Sequence, residues 1–469
     1  MKHTSLLLPS LLALALSACT VGEDYARPDI SAQLPTQFDL PDGWKIAEPG
    51  GANEATAWWK AFRDPKLDQL IDRADANNQE LKAAFARVEQ ARAIAGGARA
   101  QQLPFIDFIP SATRERRSAT TSNNFGGTAG STTTLLSLPF QMQYEIDLWG
   151  RIRRSVEAAD YDAAASESEL QSVLLVLRAE LAANYFSMRS LDAEIHTFRN
   201  AIALRRKSLQ LNKLRFGAGD TDEVDVSRAE TELAATEAEL ASLKLSRSDL
   251  EDSIALLVGA PSSGFHIPAS PLTSSPPRIP ASVPCELLER RPDVAAAERI
   301  MAAENARIGV AQAAFYPTVS ISATAGLESA SSSNLFDMAS RSWGLGPQIS
   351  LPVLDGGNNR AELARSYARY DEVAANYKQT ILKAVSEVDR ALKEVEMLDQ
   401  QASALARTVR AARRTVTLSQ ERYAAGVVDF FEVVDAQRTL LDSEQQADRV
   451  TGARHVAAVT LIRALGGSW

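Results

Sequence analysis

The side chains best suited to metal binding or catalysis are few and widely spaced in this sequence. None of the four histidines has a neighbour at the spacing of a metal ligand or a catalytic partner: His3, His196, His266 and His455. The sequence GAGD, Gly217 to Asp220, lies between two predicted helices and not after a strand, so it lacks the context of a phosphate loop. We therefore expect no enzyme activity, no metal and no cofactor.

The two cysteines lie in different kinds of sequence. The segment MKHTSLLLPSLLALALSAC has a lysine, an apolar stretch and small residues before Cys19, which predicts a secretory signal over residues 1–18. Leu16 to Cys19 resembles the bacterial lipobox, so we expect Cys19 to be acylated and to anchor the mature chain to lipid. The alternative is an ordinary signal peptide with an incidental cysteine. If Cys19 is acylated, Cys285 has no partner for an intramolecular disulfide.

Turn-forming and charged residues recur in two similar segments. LRFGAGDTDEVDVSRAETEL (Leu214 to Leu233) and ERYAAGVVDFFEVVDAQRTL (Glu421 to Leu440) align at a constant offset of 207 residues. Each has a glycine where a tight turn between helices needs conformational freedom. The candidate residues shared by the two turns are Arg215, Gly219, Asp222, Arg422, Gly426 and Asp429.

The whole chain is a tandem duplication. Upstream of the turns, EQARAIAGGARAQQLP aligns with AAENARIGVAQAAFYP at an offset of 213, and a six-residue loop difference accounts for the change. Between the repeats a proline-rich linker excludes helix and central strand. We divide the chain into a signal peptide (1–18), an extended N-terminal arm (19–60), a first repeat (61–260), the linker (261–288) and a second repeat (289–469).

Each repeat is predicted to contain a first helix, two strands separated by a polar loop, a very long helix and a last helix. The first helices are expected at Pro65 to Ala100 and Pro292 to Ala314. The long helix from about Arg151 to Phe216 would reach ~100 Å. Its apolar residues follow the four–three alternation of a coiled coil, at Leu170, Leu174, Leu177, Leu181, Asn184, Met188, Leu191, Ile195, Phe198 and Ile202.

The strands are long and have two different faces. In LLSLPFQMQYEIDLWG, Leu135 to Gly150, apolar residues alternate strictly with mostly polar ones from Leu136. PTVSISATAGL and WGLGPQISLPV in the second repeat alternate in the same way, whereas the strand after Leu103 is less regular. Such strands match those of transmembrane barrels, which need ~9–11 residues each. The alternative is a soluble antiparallel sheet packed on helices in an α+β domain.

A membrane barrel must close, because open sheet edges are not tolerated in lipid. Four strands from one chain are too few, and eight strands from two chains leave an interior that side chains fill. Three chains give twelve strands and an open lumen, and the serine, threonine, glutamine and glycine of the polar face suit water. We therefore expect a mainly α-helical protomer that trimerises into a 12-stranded barrel with an α-helical tunnel. A net charge of −9 gives no reason to expect nucleic acid.

The duplicated plan, the start CTVGEDYARPD and the turn RYAAGVVDFFEVVDAQRTL resemble the outer-membrane factor family, the TolC-like and OprM-like efflux channels, in the lipoprotein branch called NodT-type. The resemblance spans essentially the whole chain. It implies a lipid-anchored outer-membrane homotrimer that serves as the passive exit duct of a tripartite efflux system. The implied partners are a periplasmic adaptor protein and an inner-membrane pump, and the two turns are the implied adaptor-docking tips. The alternatives are a channel for polypeptide secretion and a periplasmic coiled-coil scaffold lipoprotein without a pore.

The resemblance also implies a periplasmic gate at the second turn. Glu432 and Asp435 are three residues apart and share a helix face, where related channels place acidic rings. Under threefold symmetry each acid becomes three carboxylates, which attract cations. The implied gate residues are Phe431, Glu432, Asp435, Arg438, Asp225 and Tyr423, the last two forming a lock between neighbouring helices. The alternative is that the two acids are exposed helix charges of no consequence.

Overall fold

The computed structural model describes residues 20–28, 55–116, 118–120, 130–272, 274–279 and 291–467. The predicted signal peptide, Cys19, Cys285 and most of the predicted N-terminal arm and linker lie outside these residues.

The helices repeat with equal lengths in the two halves of the chain. Helices α2 (Gln79–Ala100) and α5 (Pro292–Ala313) each have 22 residues, and they are related by the offset of 213 at both ends. The long helices α3 (Arg151–Gly217) and α6 (Asn358–Ala424) each have 67 residues. The last helices α4 (Glu223–Leu257) and α7 (Phe430–Ala464) each have 35 residues. Both pairs are related by the offset of 207 at both ends. The predicted duplication and the order of its elements are confirmed.

The prediction of one helix from Pro65 to Ala100 is wrong at one residue. Helix α1 (Pro65–Asn77) ends before α2 because Asn78 has extended backbone torsions, with φ −59° and ψ 129°. The Asn78 side chain donates to the Leu257 carbonyl at 2.9 Å and accepts from the Leu81 N–H at 2.9 Å. One side chain therefore caps the start of α2 and also binds the end of α4.

Five strands among the described residues form one antiparallel sheet. Their bounds are β1 Phe105–Phe108, β2 Ser111–Arg116, β3 Thr132–Ile146, β4 Thr318–Ser329 and β5 Arg341–Ser350, in the order β1-β3-β4-β5, and β2 also pairs with β3. β1 and β2 pair with β3 in the same register. They act as one strand interrupted at Ile109 and Pro110, because proline has no N–H for the ladder. The sheet thus has the four predicted strand positions.

The apolar face of the sheet is exposed. Phe140 pairs with Ala325, which pairs with Trp343, so the apolar residues of neighbouring strands lie on one face. The exposed fractions of Phe140, Trp343 and Ile349 are 55%, 81% and 70%. A sheet packed on helices in a soluble α+β domain would bury these side chains, so the structure does not support that alternative.

Contacts divide the chain into two compact units, and each unit takes segments from both repeats. The sheet unit lies within residues 1–28, 87–166 and 296–377, and the helical unit lies within 29–86, 167–295 and 378–469. The core of the helical unit contains Leu67, Leu181, Phe186, Ile254 and Leu461. Several residues of the predicted coiled-coil pattern are buried within the helical unit: Leu177, Leu181, Met188, Ile195, Phe198 and Ile202. None of the helices in the described part of the chain is long and apolar enough to cross a membrane.

Candidate functional site

The first turn, tip 1 (residues 212–228), is closed by backbone hydrogen bonds and by a capping aspartate. Gly219 has a φ of +79°, and the next N–H, of Asp220, donates to the Arg215 carbonyl at 2.9 Å. Asp222 caps α4 and accepts from the Val224 N–H at 2.9 Å. A residue with a Cβ would be strained at this φ, which explains the glycine.

The second turn, tip 2 (residues 419–435), has the same construction 207 residues later. Gly426 has a φ of +74°, and the Val427 N–H donates to the Arg422 carbonyl at 2.9 Å. Asp429 caps α7 and accepts from the Glu432 N–H at 3.3 Å. The predicted glycines and aspartates therefore shape the two turns.

Tyr423 links the two tips. Its hydroxyl donates to Asn212 Oδ1 at 2.6 Å, and the Arg215 guanidinium lies over its ring, 4.6 Å from the centroid. Burial raises the pKa of Tyr423, Arg215 opposes this rise and Asp225 adds to it, so the hydroxyl stays protonated as a donor. The structure gives Tyr423 a hydrogen bond to Asn212 and not to Asp225. Asp225 instead accepts from the Thr221 hydroxyl at 2.6 Å.

The two acids of the predicted gate have different surroundings. Glu432 is half-buried and accepts from Arg422 at 2.9 Å and from Ser419 at 3.3 Å, so its charge is compensated within the tip. Asp435 is exposed, one turn further along α7. Of the two carboxylates, Asp435 is thus the one that faces solvent without a cation bound to it in the described chain.

Arg438 takes part in a charge network between α7 and α4. Its guanidinium donates twice to a single oxygen of Glu232, whose other oxygen lies 3.3 Å from Arg205. Arg205 is buried and also donates to the Thr236 hydroxyl. Burial lowers the pKa of Arg205, and Glu232 opposes this effect. Because both guanidinium groups share Glu232, its removal would leave the charge of the buried Arg205 uncompensated.

A groove of about 470 Å³ lies beside this network. Phe431 is 53% exposed and the Arg228 guanidinium lies 5.8 Å from its ring centroid. The other lining residues are Glu223, Val224, Ser227, Thr231, Glu232, Val434 and Arg438. No group of three or more metal-ligating side chains is found among the described residues.

Comparison with known proteins identifies the family. A sequence profile described as outer membrane efflux protein matches residues 70–260 and 283–467. The chain belongs to this family. The outer membrane protein OprJ of Pseudomonas aeruginosa is 34% identical over 98% of this chain and 95% of its own length. The toluene efflux pump outer membrane protein TtgI of Pseudomonas putida is 33% identical over 100% and 99%. The structure of the outer-membrane channel OprN superposes with a TM-score of 0.88 at 31% identity, covering 96% of this chain and 100% of that one.

In this outer membrane efflux protein, the segment after Cys19 is held against the sheet unit. The Val21 N–H donates to the Trp149 carbonyl at 3.0 Å. Arg154, 3% exposed, donates to the Gly22 carbonyl at 2.9 Å and to Asp24 at 2.8 Å. The Trp149 ring stacks on Tyr316 at 4.9 Å between centroids. Stacked aromatic rings directly after β3 and before β4 are typical of the interface belt of a membrane protein.

Two residues that contact gate candidates were not predicted from the sequence of this efflux protein. Asn212 is fully buried, and its Nδ2 has no hydrogen-bond partner. Glu232 joins Arg438 to Arg205 across a long sequence separation. One signal was present for the network, because Thr236 is polar at a position of the four–three alternation in α4, whose neighbouring positions are Leu233 and Leu240. Asn212 carried a comparable signal, because the alternation in α3 continues from Ile202 through positions 205 and 209 to 212.

Proposed function

We propose that three copies of the chain form a passive outer-membrane duct that exports small molecules in a tripartite efflux system. The exposed apolar face of the sheet carries this proposal. In the described sheet the outer edges of β1, β2 and β5 have no strand partner. Lipid does not tolerate such edges, and twelve strands from three chains are the smallest closed arrangement with an open lumen.

The names of relatives support the role in efflux. Relatives of similar identity are named as efflux proteins for cations and toluene and as an export protein for pyoverdine. Cargoes of such different chemistry share one type of outer-membrane protein. We therefore assign cargo selection to an inner-membrane pump, which a periplasmic adaptor protein connects to tips 1 and 2. The duct itself carries out no catalysis.

Tip 2 supplies the gate in this proposal. Three copies of Asp435 around an axis form an acidic ring that attracts cations, and Glu432 contributes less because Arg422 compensates it. The contact of Tyr423 with Asn212 and that of Arg438 with Glu232 hold the gate closed. Opening then requires both contacts to break.

The lipid anchor is attached at Cys19. The segment from Val21 to Asp24 lies beside Trp149 and supports this placement. It brings the start of the mature chain to the end of the strands where Trp149 stacks on Tyr316. Acyl chains at that position reach the membrane alongside the sheet.

Single-channel recording from the purified protein in planar bilayers tests the function. We expect discrete conductance steps from a trimer, with preference for cations. A chain that binds membranes through its lipid but never conducts would instead be the scaffold lipoprotein. The variant Tyr423→Phe with Arg438→Ala provides the gate control, because it removes both contacts that hold the gate closed, and long closures should then become rare.

A further inference from the structure

The charged side chains of the described strands are separated by sign between the two faces of the sheet. The guanidinium groups are on the apolar face, at Arg114, Arg116 and Arg341. The carboxylates are on the polar face, at Asp107, Glu115, Glu145 and Glu328. The alternation of β2 shows this most directly, because Glu115 lies between two arginines and points to the opposite face.

The register places these arginines at the loop end of the apolar band. From Ile146 to Leu136 the apolar residues of β3 span ten residue steps, which corresponds to about 33 Å along a strand and about 25 Å of height at a tilt of roughly 40°. Arg114 pairs with Thr134, beyond Leu136. Arg341 pairs with Leu327, two residues before Trp343. The band therefore has aromatic rings at its helix end and guanidinium groups at its loop end.

The three guanidinium groups are available for a ligand. Arg114, Arg116 and Arg341 are exposed, and none of them has an ion pair or a hydrogen bond from its side chain within the described residues. The carboxylates Glu115 and Glu328, near the same end of the strands, face the other way. A planar guanidinium matches the oxygens of a phosphate with two parallel hydrogen bonds.

We propose that Arg114, Arg116 and Arg341 bind the phosphate groups of lipid headgroups in the leaflet on the loop side. This inference rests on the proposed insertion of the sheet as part of a barrel wall. A lipid is the occupant because the arginines continue the lipid-facing band, and long cationic side chains at such a boundary extend into the headgroup layer. Each arginine thereby binds a lipid and also sets the depth at which the barrel lies in the membrane.

The test measures lipid binding to the purified trimer by native mass spectrometry. The probes are lipid A with both phosphates, dephosphorylated lipid A and inorganic phosphate in excess. We expect the phosphorylated lipid to bind more tightly than the dephosphorylated one. The triple variant Arg114→Gln, Arg116→Gln, Arg341→Gln should lose affinity for the phosphorylated lipid by roughly fivefold for each arginine removed. Higher salt should narrow the difference in affinity between the wild type and this variant. Arg410→Gln with Arg414→Gln, exposed arginines on α6, is the control and should bind as the wild type does.

Equal binding of both lipids, or equal binding by the wild type and the triple variant, would overturn the proposal. Displacement of the lipid by inorganic phosphate would also overturn it, because the site would then bind a free anion. Single-channel conductance of each variant separates this result from the proposed function, since a conducting trimer without lipid preference refutes only the lipid site. If the triple variant does not assemble, the single variant Arg341→Gln tests the proposal through the same comparison of lipid binding with the wild type.

Discussion

Replacing Tyr423 with phenylalanine removes one hydroxyl from the contact between the two tips. Tyr423 is 7% exposed and Asn212 is 0% exposed, so water cannot replace the lost 2.6 Å hydrogen bond without rearrangement. Asn212 Nδ2 already lacks a partner, and the variant leaves the amide oxygen unpaired as well. A buried polar group left without its partner costs about 1–3 kcal/mol. We therefore expect Tyr423→Phe to destabilise the closed arrangement of the tips by about this amount, ~5- to 150-fold in the opening equilibrium.

Hydrogen exchange measured by mass spectrometry on the purified trimer checks this expectation. Peptides that cover residues 205–225 and 415–435 should exchange faster by that factor, and peptides from the sheet should not change. Tyr367→Phe is the matched control, because Tyr367 accepts an exposed hydrogen bond from Gln312 at 2.9 Å in the sheet unit. It should leave the tips unaffected.

A second variant separates the hydrogen bond from packing. Asn212→Leu combined with Tyr423→Phe removes both polar groups, so the double variant should be more stable than the sum of the two single changes predicts. If the tips of Tyr423→Phe exchange at the wild-type rate, the hydroxyl does not hold them together and the proposed role of this contact in the gate is wrong.

Four further predictions test separate parts of the structure. Mass spectrometry of the mature N-terminus should show acylation that Cys19→Ser abolishes, and an unmodified Cys19 would refute the lipid anchor. Phe140→Arg, on the exposed apolar face, should cost ~2–4 kcal/mol near the middle of the bilayer, and a trimer as resistant to heat as the wild type would contradict this. Asp435→Ala should weaken cation selectivity and divalent block in bilayers more than Glu432→Ala does, with trimer stability nearly unchanged. Equal effects of the two variants would show that both acids contribute alike to the gate. Burial lowers the pKa of His455, so the stabilisation from the neutral imidazole is complete above about pH 6.5 and is lost as the pH falls below that value. His455→Gln should make Tm depend less on pH in the acid range. Equal pH dependence of Tm in the variant and the wild type would show that His455 is not responsible.

The sequence was sufficient for those features that depend on local pattern or on duplication. Alternation in β3 to β5 predicted which face is apolar, because a period of two is a property of neighbouring residues. The two offsets predicted corresponding elements in both repeats, because similar sequences form the same elements wherever they lie in the chain. The break at Asn78 was not predicted, since the bond from its side chain to Leu257 joins residues 179 positions apart. Proline at 110 was a visible signal for the interruption of the first strand.

The candidate site was predictable in its position and only partly in its contacts. Gly219 and Gly426 identified the turns, because only a few residue types accept positive φ. The partner of Tyr423 could not be predicted, because Asn212 is 211 residues away. The four–three alternation that reaches position 212 indicates burial there but does not identify the residue that it contacts. Side-chain pairing across helices depends on their relative rotation, which a sequence pattern of apolar positions fixes only approximately.

The equal lengths of the paired helices restrict how this gene can change. A residue inserted into α3 alone moves tip 1 by about 1.5 Å and rotates it by about 100° relative to tip 2, which separates Asn212 from Tyr423. Insertions of whole turns, of the same size in both long helices and in the last helices that pair with them, keep the tips level and keep this pair in contact. We therefore expect members of this family to gain or lose whole helical turns in both repeats together, so that the helix lengths of one repeat predict those of the other.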